Sequence, residues 1–183
     1  SLLTPNLAQH GFGHDATNLV TSYNTPAVGG STRSYTYAYD NNRRPISTMY
    51  PSGNTLQTIY VNGRIDHFVA PEGTTSITYH PITGQVLSIT KGVSPTQEAI
   101  GLAYNGALLT SVDYDGTLNQ SLAFTYNADV QIGSFAYAGG APIAYTYDDD
   151  GLLATAGAFV ISHNADNGLP ESVTDGIFTQ TRT

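Results

Sequence analysis

The chain has 183 residues, a net charge of −8, only six Lys and Arg against 14 Asp and Glu, and no Cys. So few cations exclude a nucleic-acid surface and disfavour an anionic membrane, and the lack of Cys excludes disulfides and thiolate chemistry. No apolar run is long enough to span a bilayer as a helix, so membrane insertion is not expected.

Tyr is abundant at 13, and Gly (19) and Pro (9) recur as punctuation. Tyr, Thr, Val and Ile suit pleated surfaces, while Gly and Pro suit turns. No segment keeps a helical period over three turns. These features predict an all-β protein of antiparallel hairpins.

One pattern recurs along the chain. Phe12-Gly13-His14-Asp15 is a degenerate first copy. Tyr37-Ala38-Tyr39-Asp40 is close to ideal, and Ile59-Tyr60-Val61-Asn62-Gly63 is looser. Ile77-Thr78-Tyr79-His80 runs to Gly84. Leu102-Ala103-Tyr104-Asn105-Gly106 and Phe124-Thr125-Tyr126-Asn127 follow. Tyr145-Thr146-Tyr147-Asp148 runs to Gly151, and Ile161-Ser162-His163-Asn164 runs to Gly168. The positions 15, 40, 61, 80, 105, 127, 148 and 164 lie 16 to 25 residues apart. A period near 20 predicts one supersecondary unit per repeat. The Asp or Asn accepts backbone N–H bonds in the turn, and a Gly such as Gly151 supplies a left-handed residue.

A second set of turn signals falls between the anchors, among them Gly29-Gly30, Pro51-Ser52-Gly53-Asn54, Pro71-Glu72-Gly73, Asp115-Gly116 and Asp175-Gly176. Turns every ten residues or so predict roughly sixteen strands of five to seven residues in one continuous array of about eight repeats, residues 1–183. Alternation puts Tyr35, Tyr37 and Tyr39 on one face, likewise Leu122, Phe124 and Tyr126, and Phe159, Ile161 and His163. Such residues form aromatic ladders, each pair adding roughly 0.2–1 kcal/mol over Ala–Ala. A Tyr can also bury its ring and still send its hydroxyl to a backbone or turn partner.

The pattern Tyr-x-Tyr-Asp-x-x-Gly-x-Leu, complete from Tyr145 to Leu153, resembles the signature of YD repeats. These occur in bacterial Rhs proteins, toxin-complex B and C components, wall-associated proteins and teneurins. The resemblance runs from Phe12 to Gly176. It implies a sheet that spirals into a hollow shell, in a secreted or cell-surface protein, enclosing a toxin or effector or presenting a contact surface. It implies no enzyme activity and no cofactor for this stretch, with further repeats of the parent chain as partners. The implied structural anchors are Tyr37, Tyr39, Asp40, Tyr79, Gly84, Tyr104, Asn105, Tyr126, Asn127, Tyr145, Tyr147, Asp148, Gly151, Asn164 and Gly168. His14, His80 and His163 depart from the pattern. The Asp-Pro-x-Gly-Leu segment tied to self-cleavage in the family is absent.

Other chemistry finds little support. Asp148-Asp149-Asp150-Gly151 lacks the ligand spacing of a calcium loop, and a solvated hairpin turn explains it. The five His, at 10, 14, 67, 80 and 163, have no zinc-motif spacing. There is no Gly-x-Ser-x-Gly elbow. The alternative to a shell segment is a carbohydrate-binding or adhesion module using Tyr rings, although Trp is absent.

The chain also reads as a piece of a longer array. Thr181-Arg182-Thr183 matches Thr32-Arg33-Ser34, which precedes an anchor. Leu2-Leu3-Thr4-Pro5-Asn6 reads as the returning half of a repeat. Open terminal strands are then expected to pair edge to edge.

Overall fold

The computed structural model describes residues 9–92 and 96–182. The readings of Leu2 to Asn6 and of Thr183 fall outside these. Seventeen strands and no helix are found among the described residues. The chain divides into two compact units, Ser1–Glu98 and Ala99–Thr183.

In the first unit, β1 (Gly11–His14), β2 (Val20–Asn24), β3 (Ser34–Tyr39), β4 (Pro45–Met49), β5 (Thr55–Val61), β6 (Arg64–Ala70), β7 (Gly73–Tyr79) and β8 (Val86–Lys91) form an antiparallel meander. In the second, β9 (Glu98–Asn105), β10 (Leu108–Asp115), β11 (Gln120–Tyr126), β12 (Ile132–Tyr137), β13 (Ile143–Tyr147), β14 (Leu153–Ala156), β15 (Phe159–His163), β16 (Pro170–Thr174) and β17 (Thr179–Thr181) do the same. Each anchor motif sits at the end of an odd-numbered strand, and the next strand returns beside it.

The register separates two faces. Tyr23, Tyr35, Tyr37, Tyr39, Leu56, Phe68, Ile77 and Tyr79 fall on one face of the first unit. Leu102, Val112, Leu122, Phe124, Tyr126, Phe135, Tyr145, Tyr147 and Ile161 fall on the equivalent face of the second. Ring contacts run Phe12–Tyr23–Tyr35–Tyr50, with centroids 5.1, 5.9 and 5.9 Å apart, and Phe124–Phe135 at 5.6 Å. The ladder thus passes through Tyr23 and Tyr35, while Tyr37 and Tyr39 stand beside it. No described side chain is fully buried. A pleated sheet without a second layer leaves its apolar face half covered.

The opposite face is built on hydroxyls. Thr78–Ser88, Thr125–Ser134, Thr146–Thr155 and Ser162–Ser172 face each other across neighbouring strands, with oxygens 2.7 Å apart in each pair. Such pairs let a solvent-facing surface contribute to strand pairing.

The anchor turns come in three lengths. His14, Tyr39, Tyr126 and Tyr147 lie opposite the residue six positions on, Tyr79 and His163 opposite the seventh, and Tyr60 and Tyr104 opposite the fifth. In the six-residue class the fourth residue is left-handed, with φ of 64° at Asn18, 64° at Arg43, 66° at Val130 and 76° at Gly151. A β-branched residue tolerates that region least. Val130→Gly is therefore expected to stabilise the chain by about 1 kcal/mol despite the added freedom of the unfolded chain. A rise in urea midpoint checks this, and a fall contradicts the strain.

Candidate functional site

The anchor positions are held by a repeated set of backbone bonds. Asp40 Oδ1 accepts the N–H groups of Asn42 and Arg44, both at 2.9 Å. Asp15 does the same for Thr17 and Leu19, at 2.8 and 2.9 Å. Asn127 Oδ1 accepts from Asp129 and Gln131 at 3.0 and 2.9 Å, and Asp148 Oδ1 from Asp150 and Leu152 at 3.1 and 2.8 Å. Asp and Asn are interchangeable here because the bonds require only a side-chain carbonyl-type oxygen.

The seven-residue turns use the same idea with a different reach. His80 Nδ1 accepts from Ile82 and Thr83 at 3.3 and 3.1 Å, and Asn164 Oδ1 from Asp166 and Asn167 at 3.0 and 3.2 Å. Gly84 (φ 76°) and Gly168 (φ 68°) close these turns, donating to the carbonyls of His80 and Asn164. The five-residue turns are tighter. Val61 lies opposite Arg64 across Asn62 and Gly63, both left-handed. Asn105 lies opposite Leu108, with Gly106 left-handed.

Each returning strand carries a β-bulge just past its anchor partner. Tyr39 lies opposite Pro45, but Ala38 lies opposite Ser47, so Ile46 is extra. The same step recurs at Thr21, Asp66, Leu87, Thr110, Gly133, Ala154 and Glu171. A bulge sharpens the twist and disturbs the ladder locally. The ladder to the next hairpin accordingly stops just beyond it. Between β4 and β5, for example, it ends at Ser47 opposite Gln57.

A tyrosine hydroxyl takes over where that ladder ends. Tyr39 donates to the Val20 carbonyl at 2.8 Å, Tyr60 to Pro45 at 3.1 Å and Tyr79 to Ile65 at 2.8 Å. In the second unit Tyr126 donates to Leu109 at 2.8 Å and Tyr147 to Ile132 at 3.0 Å. Every acceptor is the residue opposite the preceding hairpin's anchor and next to its bulge. Tyr37 and Tyr145, the first tyrosines of their motifs, instead lie opposite Thr48 and Ala156 on the same face. Tyr104 lies opposite Leu109.

Arginine closes two of these sites. The Arg44 guanidinium bonds Asp40 Oδ2 through two nitrogens, at 2.7 and 2.8 Å, and lies 4.2 Å from the Tyr60 ring centre. Arg64 lies 5.4 Å from the Tyr79 ring centre. Where His163 replaces tyrosine, its Nδ1 stands 3.9 Å from Asp148 Oδ2. Among the described residues, no three His, Asp or Glu side chains converge in a way that would hold a metal ion.

The serine or threonine after the bulge was not singled out from the sequence. It is nevertheless legible as a fixed offset of eight residues from the anchor aromatic in His14/Ser22, Tyr39/Ser47, Tyr126/Ser134 and Tyr147/Thr155. The offset lengthens or shortens by one with the turn, as in Tyr79/Ser88 and Tyr104/Ser111.

A family model of the Teneurin YD-shell matches residues 1–183. The solved TcdB2-TccC3 complex without its hypervariable C-terminal region aligns with 87% of this chain at a TM-score of 0.68 and 15% identity. The Photorhabdus luminescens Tc holotoxin pore aligns with 92% at 0.51 and 12% identity. In both cases the chain spans 11% of the matched chain, and at such identities the likeness is one of fold. No curated protein matches.

Two expectations follow from this geometry. Tyr126→Phe removes one hydroxyl and leaves the Leu109 carbonyl unpaired, at a cost of about 1–2 kcal/mol, while Tyr37→Phe is near neutral. Equal effects in denaturant melts would contradict the hydroxyl's role. The second concerns acid. The backbone N–H groups of Leu19, Arg44 and Phe178 hold the carboxyls of Asp15, Asp40 and Asp175, respectively, below the usual aspartate range. Their contribution is complete above the unfolded value of about 3.9 and is lost as pH falls through the lower folded values. The triple change of these residues to Asn keeps the acceptor oxygens and should flatten the fall in urea midpoint below about pH 4. An unchanged slope would sink the assignment.

Matched by that model along its whole length, the chain belongs to the Teneurin YD-shell family.

Proposed function

We propose that this chain is a structural, non-enzymatic length of wall in a larger secreted or surface protein. Its repeats continue into further repeats of the parent chain. The wall encloses an effector or presents a cell-contact surface, and the anchors from Tyr37 to Gly168 serve to hold successive hairpins in register. The observation that carries this reading is the tyrosine hydroxyl bonded across hairpins to the carbonyl beside each preceding bulge. That bond joins one repeat to its neighbour. In the six-residue turns the anchor carboxylates of Asp15, Asp40 and Asp148 are likewise engaged by backbone N–H groups.

The two solved relatives add a fold of the same kind within much longer chains. Cryo-electron microscopy of the full-length parent protein tests the proposal. Residues 12–176 are expected within a continuous repeat wall that borders an enclosed space or an outer contact face. An isolated module tethered away from any such wall, with its edges capped by unrelated elements, would overturn it.

A further inference from the structure

We propose that the cleft beside the outer end of β16 is the receptor site for a tyrosine side chain, carried three positions after Thr181, whose hydroxyl donates to the Pro170 carbonyl. The inference rests on the reading of the chain as a length of continuing wall. It adds which residue type meets this edge, and at which position.

The ladder register locates the site. Between hairpins within each unit, the last rung and the tyrosine bond keep a fixed offset. Ser22 pairs with Thr36, and Tyr39, three residues after Thr36, donates to Val20, two residues before Ser22. Ser47 with Gln57 leads in the same way to Tyr60 and Pro45, and His67 with Ser76 to Tyr79 and Ile65. In the second unit Ser111 with Ala123 leads to Tyr126 and Leu109, and Ser134 with Ala144 to Tyr147 and Ile132. The rung Thr155–Val160 puts His163 at the equivalent place, so a ring stands there too. At the β16–β17 junction Ser172 pairs with Thr181. The acceptor is therefore Pro170, and the donor falls on the position that follows Thr183.

A cleft lies at that place. It has a volume of about 260 Å³ and is bordered by Pro170, Val173, Gln180 and Arg182, all in the second unit. Val173 pairs with Ile161 and Gln180, on the aromatic face that carries the other anchor tyrosines. The Arg182 N–H donates to the Glu171 carbonyl at 2.8 Å, which keeps the strand running beside β16 toward Pro170. The Glu171 carboxylate is held elsewhere, accepting from Asn164 Nδ2 at 2.8 Å. Among the described residues no side chain donates to the Pro170 carbonyl. A proline carbonyl serves as well as any other, as Pro45 does for Tyr60. A tyrosine suits the cleft because its ring covers apolar surface while its hydroxyl supplies the donor. Sequence matching of Thr181 to Thr32 would put this tyrosine later, since Tyr39 lies seven residues after Thr32; the rung sets it at three.

The test appends to the 183-residue chain a copy of its own segment from Tyr147 to Ala154. One form carries the segment as it stands, and a second has phenylalanine for its leading tyrosine. A third uses a spacer to move that tyrosine to the seventh position after Thr181. NMR follows the Pro170 carbonyl carbon resonance and amide exchange at Arg182. The tyrosine form is expected to shift the Pro170 resonance and to slow exchange at Arg182 about twofold to tenfold relative to the phenylalanine form, the factor one hydrogen bond supplies. The spaced form should match the phenylalanine form. Equal exchange with tyrosine and phenylalanine, an unmoved Pro170 resonance, or equal protection by the spaced tyrosine would each overturn the proposal. These readouts do not depend on the architecture of the parent protein. Their failure beside a continuous wall in the parent strikes the tyrosine alone, and an isolated module in the parent strikes the wall alone.

Discussion

The hydroxyl of the anchor tyrosine is the bond on which the repeat depends. Each returning strand bulges one residue past the anchor, and a bulge interrupts the regular alternation of N–H and C=O groups along its strand. The ladder to the next hairpin stops there, with Ser22, Ser47, His67, Ser111, Ser134 and Thr155 as its last members. Two residues farther out a carbonyl still faces the neighbour. In five cases a tyrosine hydroxyl from that neighbour fills it, at 2.8 to 3.1 Å. Each such bond contributes about 0.5–1.5 kcal/mol, and its loss costs more where the carbonyl is left dry.

This explains why the anchor is Tyr and not Phe, and why Asp follows it. The ring supplies the reach along the aromatic face, and the hydroxyl supplies the rung. The Asp or Asn then holds the turn through two N–H groups, so that the bulge falls at the same place in each turn class. Since no described side chain is fully buried, no central core fixes the strands. Stability is instead a sum of hairpin terms and nearest-neighbour terms, as in other repeat proteins. On the aromatic face the nearest-neighbour term includes ring contacts. On the other face it includes hydroxyl pairs such as Thr146 with Thr155.

The hairpins and their turns were legible in the sequence because they are local. Asp40 bonds residues two and four positions away, and Gly151 is left-handed, so a single copy carries both signals. The alternation in Tyr35, Tyr37 and Tyr39 likewise gives the faces directly. The bulge was not legible, because Ile46, Gly133 and Ala154 share no chemistry that marks them as extra. The hydroxyl bond was foreseen only as a need for some partner. Its acceptor is a backbone carbonyl 14 to 19 residues back, which any residue type supplies: Val20, Pro45, Ile65, Leu109 and Ile132 all serve. Ring contacts also diverged from simple alternation. Tyr23 lies in a strand without an anchor, yet it stacks on Tyr35 and is bonded through its hydroxyl to His10.

The histidine substitutions test this account from within. His80 stands in an Asp position, and its Nδ1 still accepts two N–H groups, so the turn survives the exchange of oxygen for nitrogen. His163 stands in a Tyr position, where the exchange is not equivalent. Imidazole is shorter than a phenol, and its nitrogen lies near Asp148 Oδ2 at 3.9 Å, which is too far for a hydrogen bond. Among the described residues, no tyrosine hydroxyl reaches the Leu153 carbonyl, the acceptor that the pattern assigns to this place. The ladder between β14 and β15 is also short, with only Thr155–Val160 and Ala156–Phe159 paired. Repeats with the full bond and repeats without it therefore coexist in one chain. In a structure held by nearest-neighbour terms, the junction before His163 has one such term fewer than the equally short β12–β13 junction, which keeps the Tyr147 bond.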